Sequence, residues 1–215
     1  MNSRITPLDA LARVPGWEPA RAEVTELKGG LTNRTYRVAY DGRNYALRLD
    51  VEDADVLRVD RTYEATIMQA AHMADLGPEL VHVDRQAGIM VTGFLPGRPW
   101  EDSDLESPGQ LERLAESIRR IPDLPLCGQR VNLLEDALGY AAFLERRRGP
   151  QAFATHCVEV IRGMPVSDRV VCCHNDLIAG NVIDDGRLKL IDGEYARDND
   201  PMFDLAVTIG FHDLD

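Results

Sequence analysis

Residues 174–181 read HNDLIAGN, and eleven positions beyond Asn181 a second apolar run, RLKLID, ends in Asp192. Both segments follow the same plan, a short apolar strand that delivers an oxygen-bearing side chain at its exit. RVVCC leads into His174 and Asp176, and NVID and RLKLID read as a hairpin turning at Asp185-Gly186. A solvated turn would also be rich in Asn and Asp, because both favour turns on their own account. Against that reading, the loop lies between two apolar strands and a second strand-to-Asp exit follows it. Side chains held at strand ends can hold a divalent cation, or one can accept a proton while the others hold the cation.

Working outward, Leu95-Pro96-Gly97 reads as a hinge that divides residues 1–94 from residues 95–215. Before it, Thr6 caps a short helix with Pro7 in its first position. AEVTEL and TYRVAY flank the loop KGGLTN, and Asp41-Gly42 joins TYRVAY to NYALRLD as a tight hairpin. A helix follows from about Val59 to Leu76, with Tyr63, Ile67, Ala70, Ala71 and Ala74 at helical spacing and Gly77-Pro78 as its stop. ELVHVD and GIMVTGF add two more strands. After the hinge, Ser107-Pro108 opens a helix that carries Leu111, Leu114, Ala115 and Ile118 on one face. Asn132 with Glu135 caps the next helix, and a third runs from about Gln151 to Arg162. Beyond Pro201, MFDLAVTIGF reads as a buried helix.

Composition narrows the function classes. With 24 Lys and Arg against 36 Asp and Glu, the net charge is −12. A nucleic-acid or anionic-membrane surface is not expected, since phosphate backbones require clustered cations. A cationic small molecule is electrostatically welcome. Cys127, Cys157, Cys172 and Cys173 lack CxxC spacing, and all four read as small core hydrophobes, the adjacent pair within the apolar run VVCCH. MNSRITPLDALARVPGW lacks a signal-peptide core, and no apolar stretch approaches the ~18 residues of a membrane span, so a cytoplasmic location is expected. Nothing bears on oligomeric state.

Asp176 and Asn181 have the spacing of the protein-kinase catalytic loop, in which an Asp accepts the hydroxyl proton and an Asn five residues on holds magnesium. Asp192 then supplies a charged ligand linking metal to phosphates. In GGLTNRTY, Gly29 and Gly30 let the backbone approach a phosphate, and Thr32, Asn33 and Thr35 offer donors. The segment is neither GxGxxG nor GxxxxGK[ST], so the P-loop class is unsupported. A metal phosphohydrolase built on His174, Asp176 and Asp192 lacks a second His cluster.

HNDLIAGN, IDGEYA with NDPMFDLA, and GGLTNRTYRV with YALRL together resemble the choline/ethanolamine kinases, within the aminoglycoside-phosphotransferase and protein-kinase-like superfamily. The resemblance runs from about Leu27 to Ala206. It implies an α+β, two-lobed kinase-like fold, with a small antiparallel sheet lobe and a mainly helical lobe, and it implies ATP and magnesium as cofactors. Asp176 would be the general base, Asn181 and Asp192 the magnesium ligands, and His174 a buttress of the loop. Arg48, opposite Leu47 and Leu49 on its strand, would meet the ATP phosphates, with Glu64 orienting it. Met90 to Phe94 would line the adenine pocket. Tyr195 would face the ammonium of the acceptor, Glu194 would face acceptor or metal, and Asp204 would tie the catalytic loop by backbone hydrogen bonds. The implied reaction transfers the γ-phosphoryl group of ATP to a small cationic alcohol, choline or ethanolamine first, with thiamine or an aminoglycoside as alternatives. A nucleotide-binding module without turnover is the non-enzymatic alternative. Choline kinases continue well past the FDLA helix, whereas this sequence stops at FHDLD, so C-terminal helices are expected to be missing from a truncated chain, or the acceptor pocket to be open or completed by a partner.

Overall fold

In the computed structural model, which describes residues 5–27, 33–50 and 61–214, five strands form one antiparallel sheet. They are β1 (Glu23–Leu27), β2 (Asn33–Tyr40), β3 (Arg43–Asp50), β4 (Leu80–Asp84) and β5 (Ile89–Gly93), in the order β1-β2-β3-β5-β4. The β2–β3 hairpin pairs Tyr40 with Arg43, and its turn residues Asp41 and Gly42 have φ of 48° and 76°. That left-handed pair matches the twist of the flanking strands. Strand alternation then sorts the side chains. Tyr45, Leu47 and Leu49 join Tyr36, Val38, Ile89 and Val91 in a core closed by Ala10 and Leu11 of α1 (Pro7–Leu11). Arg48 therefore leaves from the other face. Helix α1 starts at a capping box in which Thr6 and Asp9 satisfy each other's backbone N–H.

Helix α2 (Arg61–Met73) packs Ile67 against Cys172 and Ala196 of the second lobe. Its end is fastened there too. Asp75 adopts φ 55°, Leu76 donates its N–H to Ala71 at 2.8 Å, and the Leu76 carbonyl accepts from the Leu190 N–H at 2.7 Å. Lys189 and Arg187 both pair with the Asp75 carboxylate, which they hold down to about 2. The helix that carries Glu64 is thus anchored to the second lobe at one end while it also packs beside β4 of the sheet.

The chain crosses between lobes at Gly97, where a Cβ would lie 2.1 Å from the Asp184 carbonyl oxygen, so that only glycine fits the approach. Strand β6 (Arg98–Pro99) joins β8 (Val182–Asp184) and β9 (Leu188–Leu190) in a three-stranded sheet. Helices α3 (Asp102–Leu105), α4 (Pro108–Arg120), α5 (Leu133–Arg146), α6 (Gln151–Gly163) and α7 (Met202–Phe211) make up most of this lobe. Strand β7 (Val171–Cys173) pairs with β10 (Arg197–Asn199). Trp100, Leu105, Leu114, Ile121, Leu177, Val182, Leu188 and Leu190 form the core. Cys172 and Cys173 are buried and free, as expected, and burial pushes the Cys172 thiol up to about 12, whereas Cys127 and Cys157 are only half-buried, against expectation.

Two further expectations need correction. On α4 Leu114 is buried and Ile118 packs against the core as expected, but Ser117 is buried with them and Leu111 is exposed. The run 202–211 forms the expected helix but is not buried by its apolar side. Asp204 and Thr208 face inward, and Met202, Ile209 and Phe211 are exposed. The physical reason is that the loop beneath α7 presents unpaired backbone groups, which polar side chains satisfy and apolar ones cannot.

Arg113 of α4 makes two bonds to Asp184 of β8, at 2.6 and 2.9 Å, and depresses its carboxyl well below the ordinary carboxylate value of 3.8. Arg113→Met is expected to cost about 1–2 kcal/mol at neutral pH, a modest figure because Arg113 is partly exposed to solvent. Because the folded-state value lies below the unfolded one, the ion pair's contribution is complete above pH 3.8 and fades as pH falls through the folded value. Urea titrations of the two proteins should therefore differ near pH 7 and converge in acid. An equal gap at both pH values would remove the charge from the explanation.

Candidate active site

The loop 174–181 leaves β7 at His174 and returns to β8 at Asn181. Asn175 takes φ 62°, a conformation Asn tolerates, and its side-chain amide donates to the Tyr195 and Arg197 carbonyls at 3.0 and 3.3 Å. His174 is buried, and its Nε2 donates to the Ile191 carbonyl at 2.9 Å, so the ring braces the loop against the strand exit that ends in Asp192. The Ile191 N–H in turn donates to the Asn181 carbonyl at 2.9 Å. The segments that carry Asp176, Asn181 and Asp192 are therefore cross-tied through their backbones.

The Asn181 amide nitrogen donates to the Asp176 carbonyl at 2.8 Å and to the Asp176 carboxylate at 3.0 Å. Both partners are acceptors, which fixes the amide orientation and leaves its oxygen as the group available to a cation. Burial raises the Asp176 carboxyl above the ordinary value, and the neighbouring Glu194 charge adds to this, while His174 and the Asn181 amide act against it. A desolvated carboxylate with one modest hydrogen bond is a competent proton acceptor.

Asp192 sits in the left-handed region, at φ 59°, and points at Arg48, whose Nη1 lies 2.9 Å from its carboxylate. Arg48 also lies 2.5 Å from Glu64, whose side chain is completely buried. One guanidinium thus links the sheet, α2 and the second lobe. Burial raises the Asp192 carboxyl, Arg48 offsets part of that, and the Glu194 and Glu64 charges raise it further. A cation here would relieve that repulsion.

Asn33, at the start of β2, donates to the buried Glu194 carboxylate at 2.9 Å, so these two residues join the lobes. Tyr195 is half-buried beside Glu194, and its phenol is driven up by burial, with Glu194 and then Tyr140 adding to the effect. Tyr140, on α5, is a site neighbour that the sequence did not single out. Its helical spacing offered no signal, and only the fold brings α5 to Tyr195. Gly29, Gly30 and Thr32 lie outside the described residues. Met90, Val91 and Thr92 are buried in β5.

Among the described residues, no group of three or more His, Cys, Asp and Glu side chains is arranged as a metal cage. Magnesium does not require one, since it keeps waters and substrate phosphates among its ligands and uses one or two carboxylates. The Asn181 oxygen and the Asp192 carboxylate are hard oxygen donors of that kind, so the residues present fit the ion. Also among the described residues, no helix is long and apolar enough to cross a membrane.

The phosphotransferase enzyme family matches residues 23–215, and the chain belongs to that family. Protein LicA of Haemophilus influenzae is 25% identical over 193 residues, covering 84% of this chain and 56% of LicA. The probable choline kinase 3 of Arabidopsis thaliana is 27% identical over 202 residues, covering 86% of this chain and 58% of that protein. The chain therefore spans little more than half the length of these relatives. A choline/ethanolamine kinase family protein from Mesorhizobium loti superposes with a TM-score of 0.74 at 25% identity, over 97% of this chain and 70% of that one. The resemblance to choline/ethanolamine kinases and the α+β kinase-like fold are both borne out.

Proposed function

We propose that the protein is an ATP-dependent small-molecule kinase that transfers the γ-phosphoryl group to the hydroxyl of a small cationic alcohol, choline or ethanolamine first. The observation that carries this is the meeting of two constellations across the lobes. Arg48, fixed by Glu64, reaches Asp192 at 2.9 Å, while Asn181 holds Asp176 at 3.0 Å on the adjoining loop. One set suits phosphates and their metal, and the other suits a hydroxyl. Residues 1–94 would serve as the nucleotide lobe and 95–215 as the catalytic lobe, in the cytoplasm.

Asp176 accepts the hydroxyl proton as the acceptor oxygen bonds to the γ-phosphorus and the bond from that phosphorus to the β–γ bridging oxygen breaks, releasing ADP. Asn181 holds the Asp176 carboxylate in one orientation during this step. Asn181 and Asp192 would hold magnesium, which when bound neutralises developing phosphate charge. Arg48 approaches the phosphates from the sheet, with its direction set by Glu64. Gly29, Gly30, Thr32 and Asn33 are proposed to contribute to binding the nucleotide phosphates.

The acceptor reading rests on charge and on Tyr195. Residues 176–204 contain eight acidic and three basic side chains, a field that favours a cation. Magnesium-dependent ADP release measured across choline, ethanolamine, thiamine and an aminoglycoside tests the proposal. Tight ATP binding with no acceptor phosphorylated would replace it with a nucleotide-binding module. If choline is the substrate, Tyr195→Ala should raise its KM about two- to thirty-fold, the worth of one ring facing an ammonium, whereas Tyr195→Phe should change it little. A choline KM indifferent to Tyr195→Ala would remove the ring from the acceptor site.

A further inference from the structure

Helix α7 is built inside out. Asp204, Thr208 and the adjoining His212 lie four residues apart along one face, and that polar face, not the apolar one, is turned into the protein. Each side chain grips the backbone of the loop 174–181. The Asp204 carboxylate accepts the His174 and Asn175 N–H groups at 2.9 and 2.7 Å. The Thr208 hydroxyl donates to the Leu177 carbonyl at 2.8 Å. The His212 Nε2 accepts the Ala179 N–H at 3.0 Å. The contacts advance along the helix as the loop advances past Asp176, so α7 acts as a template for the whole loop.

We propose that His212 is a positioning residue that fixes the peptide between Asp176 and Asn181, and so sets the distance between the proton acceptor and the metal-binding amide. The role rests on the kinase reading above. The His212 side chain is 3% exposed, and Ala179 is buried at the start of the turn Ala179–Asn181 that delivers Asn181. Because Nε2 accepts a hydrogen bond, it carries no proton, and the ring proton belongs on Nδ1. Nδ1 lies 2.9 Å from the Asp102 carboxylate, in ion-pair range though off the line of a hydrogen bond. Asp102 is exposed on α3 and favours the tautomer that leaves Nε2 open. The Phe211 ring meets the imidazole edge-on at 5.0 Å. The site therefore requires an acceptor at one ring nitrogen, which apolar packing of equal volume does not supply.

The test compares His212→Leu with His212→Gln in the full chain, each checked for a wild-type-like melting profile. His212→Leu leaves the Ala179 N–H without an acceptor, and is expected to speed its hydrogen exchange and lower kcat, each by about ten-fold, with the KM for ATP held within about two-fold. His212→Gln can offer an amide oxygen near the Nε2 position and should restore both. If His212→Leu does not fold, the exposed Asp102→Asn takes its place. It removes the charge that favours one tautomer, and should raise exchange at Ala179 and lower kcat, each by about three-fold. Unchanged exchange at Ala179 overturns the proposal, as does faster exchange with undiminished kcat, or a Gln variant no better than Leu. A wild-type chain that phosphorylates no acceptor defeats the kinase reading and this role with it, whereas an active wild type with an indifferent His212 defeats only the role.

Discussion

Asp176→Asn should lower kcat by about a hundred-fold or more while leaving ATP affinity within a few-fold of wild type. The substitution keeps shape and position almost intact. An Asn at 176 still offers its backbone carbonyl and a side-chain oxygen to the Asn181 amide, which now contacts both groups at 2.8 and 3.0 Å. What is lost is the negative charge proposed to accept the hydroxyl proton, a loss expected in the transition state and hardly at all in nucleotide binding. The site has invested in that charge. It keeps a carboxylate partly out of water beside Glu194, an arrangement that raises its proton affinity and weakens the folded state if the charge has no task. Single-turnover rates with saturating ATP and acceptor measure the effect directly. Turnover within a few-fold of wild type would take proton acceptance away from Asp176.

What was legible in the sequence, and what was not, divides along a physical line. The sheet lobe could be read because its strands alternate. Leu47 and Leu49 on one face place Arg48 on the other by period alone, and Asp41-Gly42 announces its own turn. The loop 174–181 stood out because Asp176 and Asn181 lie five apart between two apolar runs, and the folded chain brings the two side chains together. Strand β10 was hidden for the opposite reason. Arg197, Asp198 and Asn199 are all polar and all buried, so no apolar pattern marks the strand. They are inside because each has partners there. Asp198 accepts the Cys127 and Gly128 N–H groups at 2.8 Å each, Asn199 donates to the Asn175 side chain at 2.8 Å, and Arg197 lies 3.7 Å from Asp136. Local propensity carries no record of partners seventy residues away in the chain.

Helix α7 shows the same limit in another form. Its hydropathy reads as a buried helix, yet the residues that choose its inner face are Asp204, Thr208 and His212, selected by the orphaned backbone groups of a loop some thirty positions earlier. Asp204 could be anticipated from the FDLA pattern. Thr208 and His212 could not, because a threonine within an apolar run and a histidine after it are ordinary residues until the loop is laid beneath them. Asn33 is a further case. Beside Gly29 and Gly30 it reads as a phosphate donor, and the sequence carried no sign of the further bond it makes to Glu194 across the lobe boundary.

Asp192→Ala should weaken magnesium-dependent nucleotide binding by about a hundred-fold or more, and more severely than Asn181→Ala, because a carboxylate brings net charge to a hard cation and an amide brings only a dipole. Two other consequences of the substitution must be separated from the loss of a ligand. Asp192 holds φ 59°, where alanine is strained, and it is the partner of Arg48 at 2.9 Å. Asp192→Asn isolates the charge. Asn tolerates the left-handed conformation and keeps an oxygen for Arg48, so an Asn variant nearly as impaired as the Ala variant assigns the effect to lost charge on the cation. Magnesium titrations of ATP affinity rank all three proteins, and the magnesium-free affinity serves as the internal reference. Without magnesium, Asp192→Ala should bind ATP no worse than wild type, since it releases Arg48 to the phosphates and removes a negative charge from their path. If magnesium-free binding falls as steeply as magnesium-dependent binding, Asp192 acts through the strand exit and Arg48, and the metal assignment fails. If Asn181→Ala proves the more damaging, the two ligands exchange rank, and the Asp176–Asn181 contact becomes the feature that organises the phosphate site.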